Sequence, residues 1–283
     1  MTTTIGIDIG GTLIKGLRLG EGGDVEARDT APVPDTPQAL LEAAGDMVDL
    51  MRDTTTSSVG VGMAGLVRWP QGTFVWGPHL PWLDLPMGSY LRERMRLPVS
   101  VDNDANCAVV AEVEQGSAQG ARHVVLITIG TGIGSGLYLD GRLYRGSSFA
   151  GELGHLTLAA GGPPCACGGR GCWETVVSNA QLEPWLEPAR AGDEEARRQL
   201  ARIGEWLGRG LTLIATALDP DLFVVGGGGG ASAGEFLLPP ARTAVAQAWS
   251  GSRFREPIPV VAAAAGAWAG ALGAALMARQ TPG

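Results

Sequence analysis

Histidine and cysteine are scarce in this chain, three and four among 283 residues, so where they fall carries information. Other shortages exclude whole classes of function. Basic residues do not outnumber acidic ones: 21 Lys and Arg stand against 29 Asp and Glu, for a formal net charge of −8. A nucleic-acid partner, whose phosphates need neutralising by Lys and Arg, is therefore not expected. No apolar run reaches the roughly 18 residues a membrane-spanning helix needs, so a membrane partner is not expected either. The first residues, MTTTIGIDIG, lack the basic start and apolar stretch of a secretory signal, which predicts a cytoplasmic protein. The Walker pattern G-x-x-x-x-G-K-[ST] occurs nowhere. What remains is a globular chain, 45% hydrophobic, long enough for a large core and for two domains around a cleft.

Three of the four cysteines fall in one stretch, Gly151 to Glu174, together with His155. The Gly and Pro residues among His155, Cys165, Cys167 and Cys172 can turn the backbone tightly enough to bring four donors onto one ion. Imidazole and thiolate suit tetrahedral Zn²⁺, and four protein ligands leave no open position for a catalytic water, so such a zinc is structural. Two plainer readings stand beside it. A disulfide is disfavoured by a reducing compartment and by the closeness of Cys165 to Cys167. Unliganded thiols fit a spacing that is not a paired CxxC finger. Glu152 and Glu174 flank the cluster, and a metal tying the loop would also aim both carboxylates.

Thr3 to Ile9 reads as a core strand that breaks at Gly10-Gly11-Thr12 and resumes as Ile14 to Leu19, a β-hairpin. Adjacent glycines let backbone N–H groups approach an anion, Thr12 adds a hydroxyl, and Asp8 at the strand end can hold a water of Mg²⁺. A Gly-Gly turn is also often only a turn. Beyond a linker with Pro32, Pro34 and Pro37, Gln38 to Arg52 has the apolar spacing of a core helix. Ser58 to Met63 reads as a parallel strand running toward Gly65, and strand ends are where α/β proteins place ligands. Trp69, Trp76, His79 and Trp82 follow in a loop, where aromatic faces serve either sugar stacking or packing. Leu97 to Val101 then delivers Asp102-Asn103-Asp104-Ala105-Asn106 to a helix that runs to about Gln115. Polar residues at such a junction act as caps. Asp104 on the first turn, with Asn103 beside it, is equally suited to accept a proton from an attacking hydroxyl.

Val124 to Ile129 is a strand ending in Gly130-Thr131-Gly132-Ile133-Gly134-Ser135-Gly136, and a hairpin, Leu137 to Leu143, follows. Each half thus opens with a strand, a Gly/Thr turn and another strand, as two copies of one unit gripping a phosphate would. Glu174 to Ala189 and Asp193 to Leu218 read as helices, and Asp221 to Val225 as a strand leading into Gly226 through Gly230. Gly226, Gly228 and Ala231 fit a loose dinucleotide pattern, but no acid on a following strand about 20 residues later completes it. These glycines, Gly227 and Gly228 among them, read better as a flat surface for adenine or ribose. Ala262 to Met277 closes the chain as a small-residue helix.

With these residues in view, the chain resembles the ROK family (repressor, open reading frame, kinase) over nearly its full length, and its sugar kinases of the bacterial glucokinase type. The D-I-G-G-T-x-x-K of Asp8 to Lys15 looks like the family's first phosphate motif, and T-I-G-T-G-I-G-S-G from Thr128 like the second. Asn103-Asp104-Ala105-Asn106 matches the segment with the catalytic base. Gly151-Glu152-Leu153-Gly154-His155 matches the E-x-G-H sugar motif, and C-A-C-G-G-R-G-C-W-E the zinc signature with its terminal Glu.

The resemblance implies an α/β protein of the actin-like (ribonuclease H-like) ATPase fold, with two α/β domains closing on a hexose and ATP·Mg²⁺. The expected smaller domain spans 1–117, with the C-terminal helix, about 266–283, packing back on it. The expected larger one spans 118–265 and carries the zinc loop. Asp104 is implied as the base, and Asn103, Glu152, His155 and Glu174 as ligands of the other hydroxyls, with Gly65 also binding the sugar. His155 would give one ring nitrogen to zinc and the other to the sugar. Asp8, Gly10, Gly11, Thr12, Lys15, Thr128, Gly130, Thr131, Gly132, Gly134, Gly227 and Gly228 are implied at the nucleotide. The implied reaction is transfer of the ATP γ-phosphoryl group to the 6-hydroxyl of glucose, by a homodimer or homotetramer. Fructose, mannose, N-acetylglucosamine and N-acetylmannosamine remain alternatives, as does polyphosphate as donor. A sugar-sensing repressor is a further alternative, although no helix-turn-helix fits before Ile5. Where the family often has Asn ahead of a Trp, this chain has His79 before Trp82, which leaves the sugar's identity open.

Overall fold

The protein, seen here as a computed structural model, is described over residues 2–248 and 250–280. It divides into two compact units, neither continuous in sequence. The first takes Met1–Glu114, Arg145–Ala150 and Ala267–Gly283, the second Gln115–Tyr144 and Gly151–Gly266. Each is built on its own five-stranded mixed sheet, as the resemblance to actin-like kinases implies.

In the first unit, β1 (Thr3–Ile9) pairs antiparallel with β2 (Leu13–Leu19), which pairs with β3 (Val25–Pro32). On the other side of β1 lie β4 (Thr56–Met63) and β7 (Val99–Asn103), both parallel. A small hairpin, β5 (Leu66–Arg68) and β6 (Thr73–Trp76), occupies the tryptophan-rich stretch expected to be loop. Helix α1 (Pro37–Met51) starts where Thr36 caps the Ala39 N–H at 3.3 Å and Pro37 takes a first-turn position that needs no donor. It buries Leu40, Leu41, Ala44, Met47, Val48 and Met51, the stripe read from the sequence. A helix with no counterpart in that reading, α2 (Met87–Met95), packs beside it. Helix α3 (Asp104–Gln115) leaves the end of β7.

The chain's last helix, α7 (Ala269–Arg279), covers β1 and β4. It approaches so closely that a Cβ at Gly6 would stand 1.9 Å from the Ala271 carbonyl oxygen, and one at Gly60 would stand 1.8 Å from that of Ala274. The sequence reading began this helix at Ala262. Instead Val260–Ala262 is strand β12, because the Ala263 N–H continues its ladder onto the Val225 carbonyl. Residues 281–283 of the expected helix lie outside the described ones.

The second unit repeats the pattern. An antiparallel hairpin of β8 (Val124–Ile129) and β9 (Ile133–Leu139), extended by β10 (Arg142–Leu143), continues through β11 (Leu222–Gly226) into β12, both parallel to β8. The second strand of this hairpin starts at Ile133, inside the glycine run, earlier than expected. Trp173–Thr175 is a separate 3-10 turn, so helix α4 (Asn179–Arg190) begins later than Glu174. Helix α5 (Glu194–Leu218), capped by Asp193, packs along α6 (Gly227–Ala248). The contact is close enough that Cβ atoms at Gly204 and Gly208 would meet Pro240 and Ala244. Among the described residues no helix is long and apolar enough to cross a membrane.

Helix α6 corrects the flat-surface reading of the glycine run. Gly227 takes φ +77°, and the following glycines form the first turn of the helix. Cβ atoms at Gly227 and Gly229 would strike the Ile129 backbone and the Asn179 side chain, so these glycines are bare because of packing. Gly228 alone of the three faces open space.

Candidate active site

In the first unit, register places Asp8 opposite Lys15. Burial raises the Asp8 carboxyl above the usual range, and the Lys15 charge pulls it back. The Lys15 ammonium donates to the Ala267 carbonyl at 2.7 Å, and a Cβ at Gly270 would stand 2.6 Å from the Asp8 carboxyl carbon. The turn after Asp8 is closed by the Gly10 N–H on the Leu13 carbonyl at 3.1 Å, with Gly11 and Thr12 exposed. His79 lies directly against this turn: a Cβ on Gly11 would be 2.7 Å from that of His79. The sequence reading left open what His79 means for the sugar; the fold sets its side chain beside the Gly10-Gly11-Thr12 turn.

At the end of β7, Asn103 uses both ends of its amide. Its oxygen accepts from the backbone N–H groups of Ala105 at 2.9 Å and Asn106 at 3.1 Å, capping α3. Its nitrogen donates to the Gly65 carbonyl at 3.1 Å and to the Asp104 carboxylate at 2.9 Å. Gly65, Asn103 and Asp104 are thus one hydrogen-bonded set. Beneath it lies Asp102, which the sequence reading passed over as part of a polar run. Its buried carboxylate accepts from the Asn103 N–H and the Asn106 side chain, each at 2.8 Å, and from the Arg145 Nε at 2.5 Å.

In the second unit, Thr128 to Gly134 form the end of β8, a turn and the start of β9. The Gly130 N–H donates to the Gly132 carbonyl at 2.9 Å, and the Asn179 N–H reaches the Gly130 carbonyl at 2.7 Å. Thr131 is exposed, Gly134 half-buried in the hairpin, and Gly227 packs on Ile129 just before the turn. The Ser135 hydroxyl bonds the Gly151 carbonyl and accepts from the Leu153 N–H at 3.4 Å, fixing the entry to the Glu152–His155 segment.

His155, Cys165, Cys167 and Cys172 have donor atoms that all lie within 4.8 Å of one another. The Cys165 Sγ stands 3.7 Å from His155 Nδ1, and the Cys167 and Cys172 sulfurs stand 3.6 Å apart. A disulfide needs about 2.05 Å between sulfurs. Bonds of about 2.3 Å to sulfur and 2.0 Å to nitrogen in a tetrahedron instead separate the ligands by roughly 3.5–3.8 Å. The four residues therefore form a cluster of the right size to hold a metal ion. The Gly169 N–H holds the Cys167 thiol below its usual range, whereas burial pushes Cys165 and Cys172 up.

Two carboxylates meet this cluster. Glu174 Oε1 accepts from Cys165 at 3.0 Å and lies 3.5 Å from His155 Nδ1, while Glu152 stands 3.8 Å from His155 Nε2. Burial raises the Glu152 carboxyl; the His155 ring opposes that rise, and Glu174 adds to it. The other Glu174 oxygen faces Gly132, where a Cβ would stand only 2.4 Å away. The glycine turn, the His/Cys cluster and Glu174 are therefore one packed block.

Comparison with known proteins identifies the family of the chain. The model of the ROK family matches residues 4–281. A glucokinase of Streptomyces coelicolor is 34% identical over 313 aligned positions, covering 99% of this chain and 98% of its own. The crystal structure of a ROK family glucokinase from Streptomyces griseus, in complex with glucose and AMPPNP, superposes with a TM-score of 0.86 at 33% identity, covering 98% of this chain and 99% of that one. A ROK hexokinase from Thermus thermophilus does so with a TM-score of 0.84 at 32% identity, covering 99% and 98%.

Proposed function

Because the chain belongs to the ROK family, we propose that it is an ATP-dependent hexokinase that phosphorylates the 6-hydroxyl of a hexose, glucose first. The observation that carries this reading is the Asp104 carboxylate. It is held by Asn103 on the first turn of α3, in a chain similar over 98% of its length to a glucokinase seen with glucose and an ATP analogue. In this reading Asp104 takes the proton of the 6-hydroxyl as its oxygen attacks the γ-phosphorus and ADP leaves. Asn103, Glu152, His155 and Glu174 orient the sugar through its other hydroxyls. The turns Gly10-Gly11-Thr12 and Gly130-Thr131-Gly132 offer N–H and hydroxyl donors to the phosphates, with Thr128, Gly134 and Gly228 alongside and Lys15 adding charge.

Two cations complete the reading. The His155, Cys165, Cys167 and Cys172 set suits Zn²⁺, which would cross-link the loop and fix the His155 ring. Asp8 suits a water of the Mg²⁺ that accompanies ATP and neutralises phosphate charge.

The test is a screen of glucose, fructose, mannose, N-acetylglucosamine and N-acetylmannosamine with ATP and with polyphosphate, read as sugar-phosphate formation. Glucose with ATP is expected to give the highest kcat/KM. Absence of phosphorylation with every acceptor and either donor would refute the reading.

A further inference from the structure

Arg145 stands just ahead of the sugar motif in sequence, and it opens the segment Arg145–Ala150, which belongs to the first unit while the chain on both sides of that segment belongs to the second. Its Nε meets Asp102 at 2.5 Å, with side-chain exposures of only 19% and 4% for the pair. Its guanidinium lies over the Trp69 ring, 4.6 Å from the centroid. The segment is pinned again at Ser148, whose hydroxyl accepts from the Trp69 N–H and donates to the Trp69 carbonyl, both at 3.2 Å. Ser148 holds φ at +98°, which a non-glycine residue keeps only when its surroundings impose it. None of this was legible in the sequence, where Arg145 falls between a short strand and a Gly/Ser stretch.

A buried ion pair gains little net stability over a well-packed apolar pair, so its value lies in the geometry it imposes. Here the geometry leads to the base. Asp102 Oδ2 takes Arg145, while Oδ1 takes the Asn103 N–H and the Asn106 amide. Asn103 in turn holds Asp104 at 2.9 Å. The planar guanidinium, clamped between carboxylate and indole, fixes the Asp102 rotamer; Asp102 fixes the first turn of α3; and that turn aims Asp104.

We propose that Arg145 is a positioning residue for the Asp104 base, acting through Asp102 and Asn103. The proposal rests on the hexokinase reading, in which Asp104 takes the proton.

Arg145→Met is expected to lower kcat by ~30-fold or more, with KM for glucose and for ATP each within ~3-fold. Arg145→Lys keeps the charge but not the fork or the stacking, and should recover only part of the loss. Since the single change strands a buried carboxylate, the Arg145→Met/Asp102→Asn double variant serves as the folding control. It should fold and still turn over slowly. Near wild-type kcat in the double variant would make Arg145 a mere counter-charge and overturn the proposal. A readout independent of activity is the variants' crystal structures, in which the Asn103–Asp104 hydrogen bond should be lost. That bond intact in both variants would equally overturn it. A wild-type protein that phosphorylates no sugar would defeat the hexokinase reading instead, leaving the structural outcome to decide whether Arg145 orders the turn.

Discussion

At the start of α3 one amide both caps a helix and holds a carboxylate, and the tasks do not compete, because Asn103 uses its oxygen for the first and its nitrogen for the second. The cap reading of this junction is thus realised, and the same amide holds the carboxylate proposed as the base. Asp104→Asn keeps the size of the side chain and a hydrogen-bonding oxygen but cannot take a proton. It is expected to lower kcat by ~10²–10⁴ while sugar affinity stays within several-fold. Steady-state kinetics with a sugar-binding titration checks this, and near wild-type turnover would move the base elsewhere.

Gly132 carries a second prediction at this scale. Its φ is outside the left-handed range, so the backbone does not demand glycine; the space is taken by Glu174, 2.4 Å from where a Cβ would stand. Gly132→Ala should push Glu174 aside and raise KM for the sugar by about tenfold, more than KM for ATP. An equal or larger rise for ATP would show that the glycine is bare for the phosphates. From the sequence this residue could be read only as part of a glycine turn, since its neighbour lies far along the chain.

Among the elements, those legible in advance carry their signal locally. Strand β1 and helix α3 have nearly the bounds read from apolar runs and caps. Strand β3, VEARDTAP, lies at a sheet edge and is largely exposed, so it lacks the apolar alternation that marks a strand. Helix α6 opens with consecutive glycines and contains Pro239 and Pro240, residues that oppose helix in isolation. Only its packing against α5 and the second sheet overrides that preference. The cysteine loop was legible because four candidate ligands, one His and three Cys, crowd a short stretch, and their donor atoms do converge.

That loop has little regular structure, so a cross-link through its centre should matter to its folding. Cys167→Ser is expected to lower zinc content, reduce thermal stability and raise KM for the sugar through Glu152, His155 and Glu174. Affinity for ATP should change less, because the backbone turns are held by their own strand ladders. A chelator should reproduce the effect in the wild type, and added zinc should reverse it. Metal analysis beside sugar and ATP titrations decides the matter; a metal-free wild type with full activity would refute it.

At the scale of the whole molecule, the chain's path makes the first unit depend on residues far along the sequence, beyond the second unit. The first sheet exposes β1 and β4 to α7, and both strands have glycine where that helix lies against them. Gly273 of α7 meets α3 as closely, with its Cβ position 1.7 Å from the Cys107 carbonyl oxygen. Gly6 and Gly60 are complementary to α7, and without it they leave a shallow surface open to water. Helix α7 buries Leu272, Leu276 and Met277 together with Ala271, Ala274, Ala275 and Ala278. At about 1.5–3 kcal/mol for each large side chain, plus the newly exposed faces of β1 and β4, their removal rivals the ~5–15 kcal/mol that stabilises a typical protein. Truncation after Gly266 should therefore unfold the first unit. The second unit retains its own sheet, the α5–α6 pair and the cysteine cluster, none of which uses α7. Hydrogen exchange on the truncated protein is expected to show β1, β4 and β7 unprotected while β8, β11 and α5 stay protected and zinc stays bound. Protection of β1 and β4 at the level of the full chain would show that the first sheet does not need its last helix.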